Sequence, residues 1–199
     1  VKKVPLMDIE KSKLLTQTSF QLKDNVLKGH VKATLTGEQR TRFHQYYHDL
    51  PTHDKKKVIQ RFLEFGNKNM VVTNVKTSDL NNREIYLGID FFPEDLRGLI
   101  PDKDRQQDYA LSSGYISQDE TELILPAGYK VASLPAPIDE KNADYAVTAA
   151  YSSKDNKISF KKTLSFPTCR IRKADFENWK KFADKLKDFN STLILIKKP

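Results

Sequence analysis

The residues of this chain best suited to chemistry are its single cysteine and its four histidines. Cys169 lies in Phe166-Pro-Thr-Cys169-Arg-Ile-Arg172, where Arg170 and Arg172 would lower a thiol pKa and favour the nucleophilic thiolate. A cysteine nucleophile also needs a base. His30, His44, His48 and His53 all fall within the first 53 residues, three of them on or beside a pair of helices. A cysteine-dependent hydrolase therefore requires two distant regions to meet, and the plainer reading of Cys169 is a small, partly buried hydrophobe.

His44 and His48 stand four apart on a helix and share a face, as metal-binding pairs do, with His53 beyond Pro51 as a third ligand. The zincin pattern places Glu after the first His. Gln45 occupies that position, so the general base is missing and the pair suits a solvated helix face. Asp102, Asp104 and Asp108 have the look of calcium-ligand spacing but lack the glycine at the sixth position and the closing Glu at the twelfth. The seven glycines form no Rossmann or P-loop fingerprint, which disfavours nucleotide binding. No metal and no cofactor is expected. Tyr46, Tyr47, Tyr109, Tyr115 and Tyr151 are candidates for an aromatic platform toward glycan or peptide, with Tyr109 and Tyr115 the residues a binding cleft would contain. Core edges with their hydroxyls in water explain them equally well.

These residues must be positioned by a chain of 199 residues, long enough for one large domain or two small lobes with a sizeable core. The balance of 34 Lys and Arg against 26 Asp and Glu gives +8. The charge is scattered, with Lys55-Lys56-Lys57 and Lys197-Lys198 the densest runs, so nucleic acid is not the expected partner. One cysteine excludes an intrachain disulfide, and no apolar run approaches the roughly 20 residues of a membrane span. The chain opens on Val1 without an initiator Met, which reads as a piece of a longer polypeptide.

The positioning elements centre on 121–166, which reads as an antiparallel meander of runs at Thr121 to Pro126, Tyr129 to Pro135, Tyr145 to Tyr151 and Lys157 to Phe166. In the last run Ile158, Phe160, Leu164 and Phe166 alternate with polar residues, and only Lys162 interrupts the apolar phase. Such alternation gives one buried face and one wet face. Upstream, residues 1 to 17 read as an entering linker, and a hairpin turns at Asp24-Asn25 and ends at Gly37. An αα pair follows over Glu38 to His48 and, from the N-cap Thr52, over Val58, Ile59, Phe62 and Leu63 to Gly66. Met70 to Val75 and Glu84 to Phe92 read as strands around a turn at Asn81-Asn82. Lys173 to Phe189 is the best helix, with Phe176, Trp179, Phe182, Ala183, Leu186 and Phe189 on one face, and Thr192 to Ile196 returns as a covered strand. The fold class is α+β: a mainly antiparallel, sandwich-like sheet, an αα pair in the N-terminal half and a C-terminal amphipathic helix packed on the sheet. Residues 1–199 form one domain, divisible into lobes 1–100 and 108–199 at the Pro- and Gly-containing loop 93–107.

The order of these runs resembles the C-terminal region of bacterial transglutaminase-like proteins, in which a β-rich domain of unknown function follows a transglutaminase-like core. The phrase Glu122-Leu-Ile-Leu-Pro-Ala-Gly-Tyr-Lys-Val-Ala-Ser-Leu-Pro135, the run Lys157 to Leu164, the helix from Asp175-Phe-Glu-Asn-Trp-Lys-Lys-Phe182 and the closing Leu193-Ile-Leu-Ile196 carry the likeness. The Leu27-Lys-Gly-His-Val31 hairpin with Gly37 and Arg40 is similar to what lies just after that core. The resemblance implies a secreted, periplasmic or envelope-exposed parent and the preceding core as partner, and it carries over no catalytic residue. The expectation is a non-catalytic accessory domain, with a glycan- or peptide-binding module and a Cys169 hydrolase as the alternatives.

Overall fold

Ile158, Phe160, Leu164 and Phe166 point inward from a single strand, and the larger of two sheets is assembled around it. The computed structural model describes residues 9–23, 26–51, 54–55, 58, 76–77, 84–91, 93–102, 104–111, 114–168 and 170–198. In chain order the strands are β1 (Lys13–Lys23), β2 (Val26–Leu35), β3 (Lys76–Thr77), β4 (Glu84–Leu87), β5 (Tyr109–Ala110), β6 (Tyr115–Ile124), β7 (Lys130–Ser133), β8 (Ile138–Lys141), β9 (Ala146–Lys154), β10 (Lys157–Phe166), β11 (Arg170–Ile171) and β12 (Ile194–Lys197). The helices are α1 (Gly37–His48) and α2 (Phe176–Asn190).

The larger sheet has the order β2-β1-β6-β10-β9-β8 and the smaller one β3-β4-β12-β7, while β5 and β11 form a short ribbon. Pairing is antiparallel throughout, except that β1 runs parallel to β6. Strand pairing crosses loop 93–107 in both sheets, since β1 pairs with β6 and β4 with β12. The class is α+β, built as two layers. One layer is the larger sheet. The other consists of the smaller sheet and α2 side by side. Phe20, Leu123, Ile158 and Phe160 pack with Ile85, Leu87, Ile194 and Ile196 under the smaller sheet, and Val147, Leu164 and Phe166 pack with Trp179, Phe182 and Leu186 under α2.

The helix α2 forms where 3.6-residue spacing gathers Trp179, Phe182, Ala183, Leu186 and Phe189 on one buried face. Trp179 Nε1 donates to the Leu99 carbonyl at 3.1 Å, which satisfies the one polar atom of a fully buried ring. Its edge meets Tyr145 at 5.0 Å between centroids.

Four expectations change. The presumed linker already pairs at Lys13, because strand formation there is set by the distant β6 and the inward positions are the polar Thr16 and Thr18. The run at Tyr129 leaves the meander: a turn in which Tyr129 N–H donates to the Pro126 carbonyl, with Gly128 at φ +85°, redirects β7 to β12 in the other sheet. The strand from Glu84 ends at Leu87, although Ile89 stays buried. Of the αα pair, α1 buries none of its residues and Tyr46 is 61% exposed. The second helix, the Met70 strand and the Asn81-Asn82 turn lie largely outside the described residues. Among the described residues no helix is long and apolar enough to cross a membrane.

Two substitutions check this packing. Trp179→Ala is expected to lower unfolding free energy by about 3 to 5 kcal/mol in denaturant titration, and a loss under about 1 kcal/mol would contradict the buried position. At Gly29, opposite Phe20 in the hairpin, an added Cβ would meet the Ser19 carbonyl at 1.9 Å and the Phe20 ring at 2.6 Å. Gly29→Ala should therefore lower Tm, whereas a strand glycine with open space around its Cα would gain from the same change.

Candidate functional site: a buried lysine among three carboxylates

A charged side chain on the apolar phase of a strand must find partners inside the protein. Lys162 is that residue on β10, and its side chain is 1% exposed. Strand register builds half of its surroundings: Lys162 stands opposite Asp119 on β6, and Asp119 opposite Thr16 on β1. The other half comes from the strap between β4 and a 3-10 turn at Leu96–Leu99. The strap is pinned by buried Ile89 and Leu96 and by Asn190 Nδ2, which donates to the Glu94 carbonyl at 3.2 Å. The turn begins at Asp95, whose Oδ1 accepts from Arg97 N–H at 3.1 Å.

Lys162 Nζ lies 2.9 Å from both oxygens of Asp90, 2.8 Å from Glu94 Oε2 and 3.7 Å from Asp119 Oδ2. Burial alone would drive the Lys162 pKa down, and the three carboxylates together override it and hold the ammonium above its ordinary value. Burial pushes the Asp119 carboxyl up to about 7 against the pull of Lys162, with Glu94 and Asp90 adding to the rise. Tyr115 is raised to about 12, first by burial and then by Glu94. Chemically, the cluster holds one cation against three acids and keeps a carboxyl titrating near neutrality.

A second polar network fastens the start of α2. Arg172 Nε donates to Asp144 at 2.5 Å, Thr168 to the other Asp144 oxygen at 3.0 Å, and Asn142 and Asn178 to the two oxygens of Asp175 at 2.8 and 2.9 Å. On the outer face of the larger sheet an open hollow of about 370 Å³ is lined by Ser19, His30, Lys32, Glu122, Ser159 and Lys161 among others.

The residues singled out in the sequence do not converge there. Cys169 and His53 lie outside the described residues. His30 is exposed on β2, while His44 and His48 are exposed on α1. Asp108 accepts from Lys173 N–H at 2.9 Å, which ties the loop to the start of α2. Among the described residues no three His, Cys, Asp or Glu are placed to hold a metal ion. Tyr109 lies half-buried beneath Arg105 at 5.1 Å, Tyr115 packs on Phe166 at 5.0 Å, and neither lines the outer hollow. The Lys162 cluster escaped the sequence reading. Its signal was the interruption at Lys162, matched by Asp119 on the inward phase of β6.

Fold and cluster together define a two-layer α+β architecture whose larger sheet is tied by internal ion pairs to the strap after β4. The chain belongs to the family described as "Domain of Unknown Function with solved-structure structure (DUF3858)", whose model matches residues 84–196, more than half of the chain. Among solved structures, one described as "a putative protease" from Parabacteroides distasonis is similar, with a TM-score of 0.41 and 12% identity over 49% of this chain and 19% of its own. No curated protein matches the chain in sequence.

Lys162→Ala leaves three buried carboxylates without their cation and should cost about 3 to 5 kcal/mol in chemical denaturation. A raised carboxyl stabilises the fold below its ordinary pKa of 3.8, and that contribution disappears as pH rises through about 7. From about pH 4 to pH 7 the chain should therefore lose on the order of 2 to 4 kcal/mol relative to Asp119→Asn, read as diverging unfolding midpoints. Parallel midpoints would show that Asp119 ionises at its ordinary pKa.

Proposed function

We propose that this chain is a non-catalytic accessory domain that supports, orients or docks the catalytic core of a larger bacterial transglutaminase-like protein, in the periplasm or outside the cell. The observation that carries the reading is the Lys162 cluster. Its charged groups are turned inward and face one another between the larger sheet and the strap, as suits a scaffold that must hold its shape. Membership of the matched family and the resemblance of the Glu122 to Pro135 phrase support the placement in a larger protein. The outer sheet face, where Lys157 pairs with Glu122 and Lys161 with Glu120 around the open hollow, offers a polar surface of both charge signs on which a neighbouring domain can seat.

The test compares the parent protein with and without residues 1–199. Deletion should lower the Tm of the remaining core, and Cys169→Ser in the intact protein should leave turnover unchanged. An intact core with unaltered Tm and activity would remove the supporting role. Hydrolysis of a peptide or amide by the purified chain, abolished by Cys169→Ser, would establish the cysteine hydrolase instead.

A further inference from the structure

Among the described residues, β2, β8, β3 and β7 stand at the edges of the two sheets, and β2 is unlike the others. β3 has two residues and β7 and β8 have four each, and Pro135 and Pro137 lie just before β8. Short length and nearby proline keep an edge from accepting another chain. β2 has neither protection. It runs for ten residues, contains no proline and keeps an unbroken register with β1. Among the described residues no backbone hydrogen bond reaches it from its far side.

The phase of the ladder decides what this edge presents. Thr36 N–H donates to the Lys13 carbonyl at 2.9 Å, one step beyond the pair Leu14 and Leu35. Hydrogen-bonded and non-hydrogen-bonded pairs alternate along antiparallel strands, so Lys28, His30, Lys32 and Thr34 turn their backbone groups to β1. Leu27, Gly29, Val31, Ala33 and Leu35 turn theirs outward. The same five stand on the inward side-chain phase, opposite Leu22, Phe20, Thr18, Thr16 and Leu14, and Leu27 and Val31 reach the core while only partly covered. On the outer face Lys28, His30 and Lys32 are exposed, and none of the three joins an ion pair among the described residues.

We propose that β2 takes up an extended strand of a partner protein, antiparallel to it, in which acidic residues alternate with apolar ones. Main-chain hydrogen bonds to Gly29, Val31 and Ala33 supply the attachment. Lys28, His30 and Lys32 then fall in the non-hydrogen-bonded pairs, where opposite side chains come closest, so carboxylates there are attracted and ammonium groups repelled. The apolar residues of the incoming strand extend the row of Leu27, Val31, Ala33 and Leu35 and complete its burial. Lysines that guard the edge against neutral and basic strands thus admit an acidic one. They also disfavour a second copy, because two β2 strands side by side would set these cations against their equivalents.

The probe is a capped, fluorescently labelled peptide of alternating Glu and Val, as long as β2, titrated onto the full chain. Its anisotropy should rise, and hydrogen exchange at the Val31 and Ala33 amides should slow. A peptide of alternating Lys and Val should bind at least about tenfold more weakly, and added salt should narrow the gap. Val31→Pro removes an outward N–H while sparing the ladder to β1, and should abolish binding with an unchanged circular dichroism spectrum. Lys28→Glu combined with Lys32→Glu changes exposed residues alone and should reverse the preference toward the Lys peptide. No binding, equal binding of the two peptides, binding that survives Val31→Pro, or protection confined to other amides overturns the proposal. A dimer in sedimentation velocity that protects the same amides without peptide also overturns it, by giving the edge to a second copy.

Discussion

One ammonium in a dry interior constrains the arrangement of both layers. Lys162 is forced inward by its phase on β10, between Phe160 and Leu164, and the surrounding hydrocarbon makes an unpaired charge there prohibitive. Its partners therefore have to come from elsewhere, and they come from two different places. Asp119 is supplied by strand register, whereas Asp90 and Glu94 are supplied by the strap after β4. Buried Ile89 and Leu96 anchor the strap through non-directional apolar contacts. The ion pairs from Asp90 and Glu94 to Lys162 add directional contacts between the strap and β10.

The strap also explains why the second layer is split. On one side Ile85, Leu87, Ile194 and Ile196 cover the sheet, and on the other Trp179, Phe182 and Leu186 do so. Between them runs the segment bearing Asp90 and Glu94, and its continuation receives the Trp179 indole at Leu99 and the Asn190 amide at Glu94. Helix, strap and smaller sheet thus share contacts through one short stretch of backbone.

Much of this was legible in the sequence, for reasons that differ by element. The β10 alternation and the α2 stripe are strong local periodicities, and both elements form where those periods place them. The start of β1 was hidden because its inward residues, Thr16 and Thr18, are polar and are paid no attention by a hydrophobic pattern. The departure of β7 depends on which edge is free to pair, which is a tertiary matter that Gly128 only permits. The candidate site was legible as an anomaly at Lys162, but its acids at Asp90 and Glu94 lie 72 and 68 positions away, and no spacing rule links them. Tyr109 and Tyr115 stood out for their rings, and both rings are occupied in packing.

The parallel pairing of β1 with β6 has a bearing on how the molecule is made. The two strands meet across residues such as Gln17 and Glu120, 103 positions apart. As the polypeptide emerges, the first hairpin must wait with one side unpaired until that distant segment has been synthesised. Within residues 9–198 the hairpin synthesised first is thus among the last elements to be secured, and until the central strands arrive the free edge of β1 is open to pairing with other chains.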